Sequence, residues 1–360
     1  MKACIAKGFN DMTVEDVPYP KLRPGYAIIR PKIVQASITE VQEFLGLYKR
    51  EETAKRMPGR LWGHEYSGEV VEVEERVDEL SVGDRVMGNP YYRCGQCYAC
   101  KHEMSLRCEK PSSPGLPDGL IDSAFAEYAA VPAKLLVKLP KSVSHVEGAN
   151  VQTFASALIN VLSANPQPGD TVVVIGQGCM GSGCMQALRN LGVGTIITID
   201  IREETVELSR KLGADIAINS KEIDPVKAVH ELTNGIGADL VVDAAGGDPN
   251  VGLAAQKTLE QALKMVARCG TVLEVSYFEF PVSISPPVLR SSSIRLLFGQ
   301  HGGPHPYAMH ELAVKLVASR KVDLKSIVTH ELKSLERVPK AMEIMAYKAK
   351  YKAVQSQVEL

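Results

Sequence analysis

Two patterns of apolar and polar positions divide the chain. Through about residue 140, short β-branched runs such as Ala27-Ile28-Ile29-Arg30 and Glu69-Val70-Val71-Glu72-Val73 are separated by Gly, Pro and Asp turns, which predicts an irregular, mostly β region. From about residue 150 the apolar runs Thr171–Ile175, Thr195–Ile199, Asp239–Asp243 and Thr271–Val275 alternate with helical stretches. Strands that are apolar on both faces belong in a parallel sheet covered on both sides by helices. Between two of these runs, Glu203–Leu212 sets Leu208 and Leu212 one turn apart with charges opposite them and Gly213 as a stop, so it reads as a crossover helix. A helix is also expected over Thr153–Leu162. A helix-rich stretch is expected from about Tyr307 to Tyr347, with Leu312, Val314, Leu316 and Val317 on its apolar face.

Composition narrows the class. At 360 residues and 45% hydrophobic content the chain exceeds the roughly 250–300 residues at which a single core stops growing, so two domains are expected. The formal charge of −1, without a basic run, gives no electrostatic footprint for nucleic acid or anionic lipid. No stretch approaches the roughly 20 apolar residues that span a bilayer, and the opening MKACIAKGFNDM has no apolar leader segment. The expectation is a cytoplasmic protein with a small-molecule substrate and neither nucleic acid nor membrane as partner.

Two clusters carry chemistry. The turn Gly176-Gln177-Gly178-Cys179-Met180-Gly181 follows the strand Val172–Ile175 and opens a helical segment through Leu191. In such a turn the first glycine permits the bend, the second lets a pyrophosphate approach the backbone, and the third lets helix and strand pack closely. Asp200 ends the next strand, where an acid accepts hydrogen bonds from the adenosine ribose and repels a 2′-phosphate; this favours NAD. Arg202, two residues on, is the group an NADP 2′-phosphate would use. The competing reading is a glycine turn that serves another nucleotide or only the fold. The second cluster, Cys94-x2-Cys97-x2-Cys100-x7-Cys108, offers four thiolates in an excursion over about residues 90–110. Four soft ligands with no open position suit a structural zinc; iron–sulfur ligation and unliganded thiols are the alternatives.

With Gly63-His64-Glu65-Tyr66-Ser67-Gly68, Val82-Gly83-Asp84-Arg85-Val86 and Phe125-Ala126-Glu127-Tyr128 added to these two clusters, the sequence resembles the zinc-containing medium-chain dehydrogenase/reductase superfamily over nearly its whole length. The resemblance implies an α/β protein: a GroES-like, mostly β catalytic domain at 1–152, a Rossmann domain with a doubly wound parallel sheet at 153–299, and a segment at 300–360 returning to the catalytic domain. It also implies a homodimer or homotetramer, and a catalytic zinc in the cleft between domains. Aligned on the family, Thr39 falls at the proton-relay hydroxyl, Glu40 at its acidic neighbour, and His64 at a zinc ligand with Glu65 beside it. Ser37 replaces the usual cysteine ligand, Gln42 a relay histidine, and Gln152 the third ligand.

The implied activity is hydride transfer between NAD and a secondary alcohol or ketone, as in alcohol, polyol and sugar dehydrogenases. In that reading His64, Gln152, Ser37 and Glu65 are the candidate catalytic-zinc set, and Thr39, Glu40, His64 and Glu65 the candidate catalytic residues. A serine hydroxyl is a poor zinc ligand beside a thiolate. A zinc-independent ketone or conjugated-alkene reductase, and a non-redox NAD-binding protein, therefore stand as the two alternatives. Trp62, Tyr48 and Phe44 are candidates for the substrate pocket; the Gly- and Pro-rich loop with His301 and His305 reads first as a solvent-exposed turn and second as a border of that pocket.

Overall fold

The computed structural model describes residues 1–47, 50–102, 104, 107–112, 119–245, 255–276, 281–299 and 306–360. They form two compact units, Met1–Ala155 with Pro304–Leu360, and Ser156–Gly303. The chain lays down β1 (Lys2–Gly8), β2 (Asp11–Asp16), β3 (Tyr26–Gln35), β4 (Tyr66–Val73), β5 (Arg85–Gly88), β6 (Ala129–Pro132) and β7 (Leu136–Lys138) in the first unit. The second unit holds β8 (Thr171–Ile175), β9 (Thr195–Asp200), β10 (Ile216–Asn219), β11 (Ala238–Asp243), β12 (Val266–Glu274) and β13 (Arg295–Phe298). The chain then returns to the first for β14 (Val328–Lys333) and β15 (Gln355–Glu359).

The first unit's main sheet has the order β14-β15-β3-β4-β5-β7, with β6 also pairing β3 and β1-β2 forming a separate ribbon. Its core gathers Ile29, Val34, Tyr66, Val86, Phe125 and Leu135. The helix Ile38–Leu45 starts because the Ser37 hydroxyl accepts the Glu40 N–H at 3.3 Å, and stops at Gly46 with φ +72°. It buries Val41 and Phe44 in the same core as Met342 and Met345. Each such side chain contributes about 1.5–3 kcal/mol. Phe44, considered above for the substrate pocket, is thus a core residue. The same helix also buries Glu40 and Glu43, charges that a core helix does not need for packing.

In the second unit six parallel strands run in the order β10-β9-β8-β11-β12-β13. Strand order reverses between β8 and β11, and in such sheets ligands bind outside the carboxyl ends of the strands at that point. Val173, Ile175, Ile197, Ile199, Val241 and Val272 fill the core. The expected strand Thr171–Ile175 and helix Glu203–Leu212 are found at Thr171–Ile175 and Glu203–Lys211.

Two local expectations are corrected. The helix expected over Thr153–Leu162 spans His145–Ala164, because Ser144 and Glu147 cap its start reciprocally: Ser144 Oγ accepts the Glu147 N–H at 3.2 Å, and Glu147 Oε2 accepts the Ser144 N–H at 2.8 Å. The stretch expected to be helix-rich from Tyr307 to Tyr347 holds the helices Pro306–Ala318 and Val338–Ala346, but Val328–Lys333 between them is β14. That segment alternates half-buried and exposed positions at period two, though only Val328 and Leu332 are apolar, and it pairs in parallel with β15. Among the described residues no helix is long and apolar enough to cross a membrane.

Candidate active site

Two of the three glycines in the turn stand where a side chain would not fit. Gly176 adopts φ +84°, and a Cβ there would fall 2.7 Å from the Ala245 Cβ; at Gly181 it would fall 1.8 Å from the Gly176 carbonyl. Gly178 differs: nothing lies within 4 Å of a Cβ built there. It caps the helix Cys179–Asn190 without any side-chain capping bond, at the positive end of the helix dipole. Asp200 stands at the mouth of this turn. Its Oδ2 accepts the Gln177 N–H at 2.6 Å and its Oδ1 the N–H groups of Ile201 and Arg202 at 2.7 and 3.0 Å. A carboxylate offers about four acceptor positions, which leaves one for a ribose hydroxyl. The Arg202 guanidinium lies 4.0 Å from Asp200 and 3.6 Å from Glu204, turned to carboxylates of its own loop.

The four cysteines converge. Sγ atoms of Cys94, Cys97, Cys100 and Cys108 all lie within 4.8 Å of one another, with Cys94 3.9 Å from Cys100 and 3.6 Å from Cys108. Zinc–sulfur bonds of about 2.3 Å in a tetrahedron give sulfur–sulfur edges of about 3.8 Å. None of the eight cysteines is in a disulfide. Backbone N–H groups of Gln96 and Cys97 draw the Cys94 thiol down to about 6, whereas burial pushes Cys100 up to about 12. A divalent cation at the centre would let all four ionise together.

The third group surrounds His64. Gly63 precedes it at φ +51°, where a Cβ would fall 2.3 Å from Ser123 Oγ, so the chain reaches His64 through a bend that admits glycine alone. The imidazole is buried, with Nδ1 2.5 Å from Glu40 Oε1, which also accepts the His64 backbone N–H at 3.2 Å. A carboxylate only accepts, so Nδ1 carries a proton, and Nε2, 4.0 Å from Glu65 Oε1, is the nitrogen left to titrate. Burial alone would lower the His64 pKa, but the charge and hydrogen bond of Glu40, with Glu65 and Glu43 beyond, raise it to about 9. Burial lifts the Glu65 carboxyl above its usual range, against the pull of His64. Trp62 packs edge-on to the imidazole at 5.3 Å.

Of the residues singled out in the sequence, Ser37, Glu40, His64 and Glu65 are thus linked, Ser37 through its cap on Glu40. Thr39 is half-buried in the first turn of the helix Ile38–Leu45, and Gln152 is buried in the helix His145–Ala164. Tyr48, His301 and His305 lie outside the described residues. Three residues went unnoticed in the sequence. Glu65 Oε1 accepts the Thr153 hydroxyl at 2.7 Å, Glu65 Oε2 accepts the Gln35 side-chain N–H, and Gln35 Oε1 accepts Gln357 Nε2 at 2.8 Å. Gln35 sits two positions before Ser37, inside the aligned segment, and its amide was the available signal.

Comparison with known proteins places these features in context. Residues 23–141 match the alcohol dehydrogenase GroES-like domain, and residues 179–319 match the zinc-binding dehydrogenase domain. L-threonine 3-dehydrogenase of Thermococcus kodakarensis is 32% identical over 334 residues, covering 92% of this chain and 90% of that protein. Sorbitol dehydrogenase of Bacillus subtilis is 28% identical, over 95% and 93%. The structure of an alcohol dehydrogenase from Thermus sp. ATN1 superposes with a TM-score of 0.85 at 27% identity, over 100% of this chain and 99% of that one.

Proposed function

Because the chain belongs to the zinc-containing medium-chain dehydrogenase/reductase superfamily, we propose that it transfers hydride between NAD and a secondary alcohol or ketone at a site worked by protein side chains, with its zinc confined to the cysteine lobe. The observation that carries the cofactor assignment is the open space over Gly178 with Asp200 at its mouth. Asp200 accepts from the adenosine ribose, the amides after Gly178 receive the pyrophosphate, and Arg202, turned to Asp200 and Glu204, does not present itself to a 2′-phosphate. Asp200→Gly is therefore expected to relax the preference for NAD over NADP by about tenfold or more, an effect of one charge-assisted hydrogen bond and one lost repulsion, read as the ratio of kcat/KM for the two cofactors. An unchanged ratio would sink the assignment of that acid.

The donors around His64 do not fit a catalytic zinc. Ser37 is neutral and its oxygen caps a helix, Gln152 is a neutral amide, and both oxygens of Glu65 already accept hydrogen bonds from Thr153 and Gln35. Among the described residues, only the cysteine set brings three or more His, Cys, Asp or Glu ligand atoms within reach of one ion. One zinc per chain is expected from elemental analysis of the purified protein; two would restore the metal-assisted route.

When bound, NAD supplies or takes the hydride. The chain's own part is the proton. In ketone reduction His64 gives the proton on Nε2 to the oxygen that becomes hydroxyl, and in alcohol oxidation it takes it back. Glu40 keeps Nδ1–H fixed, and Glu65 lies on the Nε2 side. The Thr39 hydroxyl, in the first turn of the same helix as Glu40, is the second candidate donor to the substrate oxygen. L-threonine, sorbitol, erythritol, L-threitol and 2R,3R-butanediol, on which relatives act by name, form the first panel, followed by nicotinamide absorbance. No turnover of any member, or of the matching ketones, would turn the assignment toward the non-redox alternative.

The protein is proposed to be cytoplasmic and to assemble as a homodimer or homotetramer. Among the described residues β13 is an edge strand, with Phe298 53% exposed, and offers a rim for a second copy; a monomeric mass in solution would exclude this.

A further inference from the structure

The carboxylate of Glu65 is oriented by a chain of side-chain amides that begins on another element. Gln357 on β15 stands opposite Gln35 on β3 in antiparallel register, and both are buried. Gln357 Nε2 donates to the Val146 carbonyl at 3.0 Å and to Gln35 Oε1 at 2.8 Å. Gln35 Nε2 in turn donates to Glu65 Oε2.

The polarity of this chain is set at both ends. The Val146 carbonyl can only accept, so Gln357 must turn its NH2 toward it, which leaves the Gln35 oxygen facing Gln357 and the Gln35 NH2 facing Glu65. If Gln357 lost its donor, the buried Gln35 oxygen would lose its partner, and of the two groups that hold the Gln35 side-chain amide only the Glu65 carboxylate would remain. Thr153 holds the other carboxylate oxygen, so the two donors together fix Glu65 Oε1 4.0 Å from His64 Nε2.

We propose that Gln35 and Gln357 are positioning residues, a two-amide relay through which β15 sets the place of Glu65 beside His64 without touching either. This rests on the functional reading above, in which His64 handles the proton. Neither amide carries charge, and both sit where burial of an unpaired polar group is costly, so the arrangement persists only while every donor finds its acceptor.

The test uses the full chain with 15N-labelled histidine and three variants, Gln357→Met, Gln35→Met and the double. The His64 ring signal is expected to move in Gln357→Met, to move further in the same direction in Gln35→Met, and to sit in the double where Gln35→Met alone puts it. On whichever panel substrate is turned over, kcat should fall about tenfold in each single variant and no further in the double, with KM for NAD within about twofold of wild type. Gln357→Leu also removes the donor and adds no titratable group. It is the second variant should Gln357→Met not fold, and the same displacement of His64 is expected.

A His64 signal that ignores substitution at residue 357, or losses in kcat that add in the double variant, would overturn the relay. A wild-type chain inactive on every substrate would overturn the functional reading instead, and the resonance of His64 would still decide the relay.

Discussion

Replacing His64 with asparagine is expected to lower kcat by about 10²–10⁴-fold, the span that a single general acid or base supplies. Asparagine keeps a nitrogen near the Nδ1 position, so Glu40 retains a donor, while Nε2 and its proton disappear. That choice matters because Glu40 and Glu65 are both buried, and stripping a buried charge of its partner costs about 3–5 kcal/mol in folding. His64→Ala would confuse the two effects. With the fold kept, NAD binding, followed by titration calorimetry, should be unaltered, since the glycine turn and Asp200 are built entirely from residues 156–303. Full activity in His64→Asn would remove the imidazole from the reaction.

The second large effect is structural. Cys97→Ser takes one thiolate from a set whose sulfurs sit at tetrahedral spacing, and a hydroxyl does not replace it. Losing a bound metal belongs to the short list of changes that cost about 4 kcal/mol or more, which at about 2–4 °C per kcal/mol lowers Tm by roughly 10 °C. Zinc content should fall from one to near zero per chain. The surviving folded fraction should keep its KM for NAD, because the lobe belongs to the other unit. A variant with normal zinc and wild-type Tm would exclude the cysteine set as a metal centre.

Much of this was legible before the structure because the signals are local. The strand Thr171–Ile175, its glycine turn and Asp200 lie within one strand-helix-strand unit, and the four cysteines within fifteen consecutive residues, Cys94 to Cys108. The helix over residues 145–164 was cut short because its cap, Ser144 with Glu147, lies ahead of the apolar run that drew attention. β14 was lost inside a stretch weighted by its helical neighbours. The surroundings of Glu65 could not be read at all. Thr153 reaches it across 88 positions and Gln357 reaches Gln35 across 322, and neither a threonine in a helix nor a glutamine in a strand announces a distant partner. What the sequence did announce was a deficit, Ser37 and Gln152 where charged ligands are usual. The compensating amides became visible only once β15 lay beside β3.

That pairing also has a consequence for synthesis. The ribosome completes residues 156–303, a continuous stretch with its own parallel sheet, well before it reaches β15. Until then the nascent first unit carries β3 with one flank bare where β15 will pair, and a bare strand flank invites contact with other chains. A message truncated between the two would yield a second unit that matures normally and a first unit still waiting for its last seam.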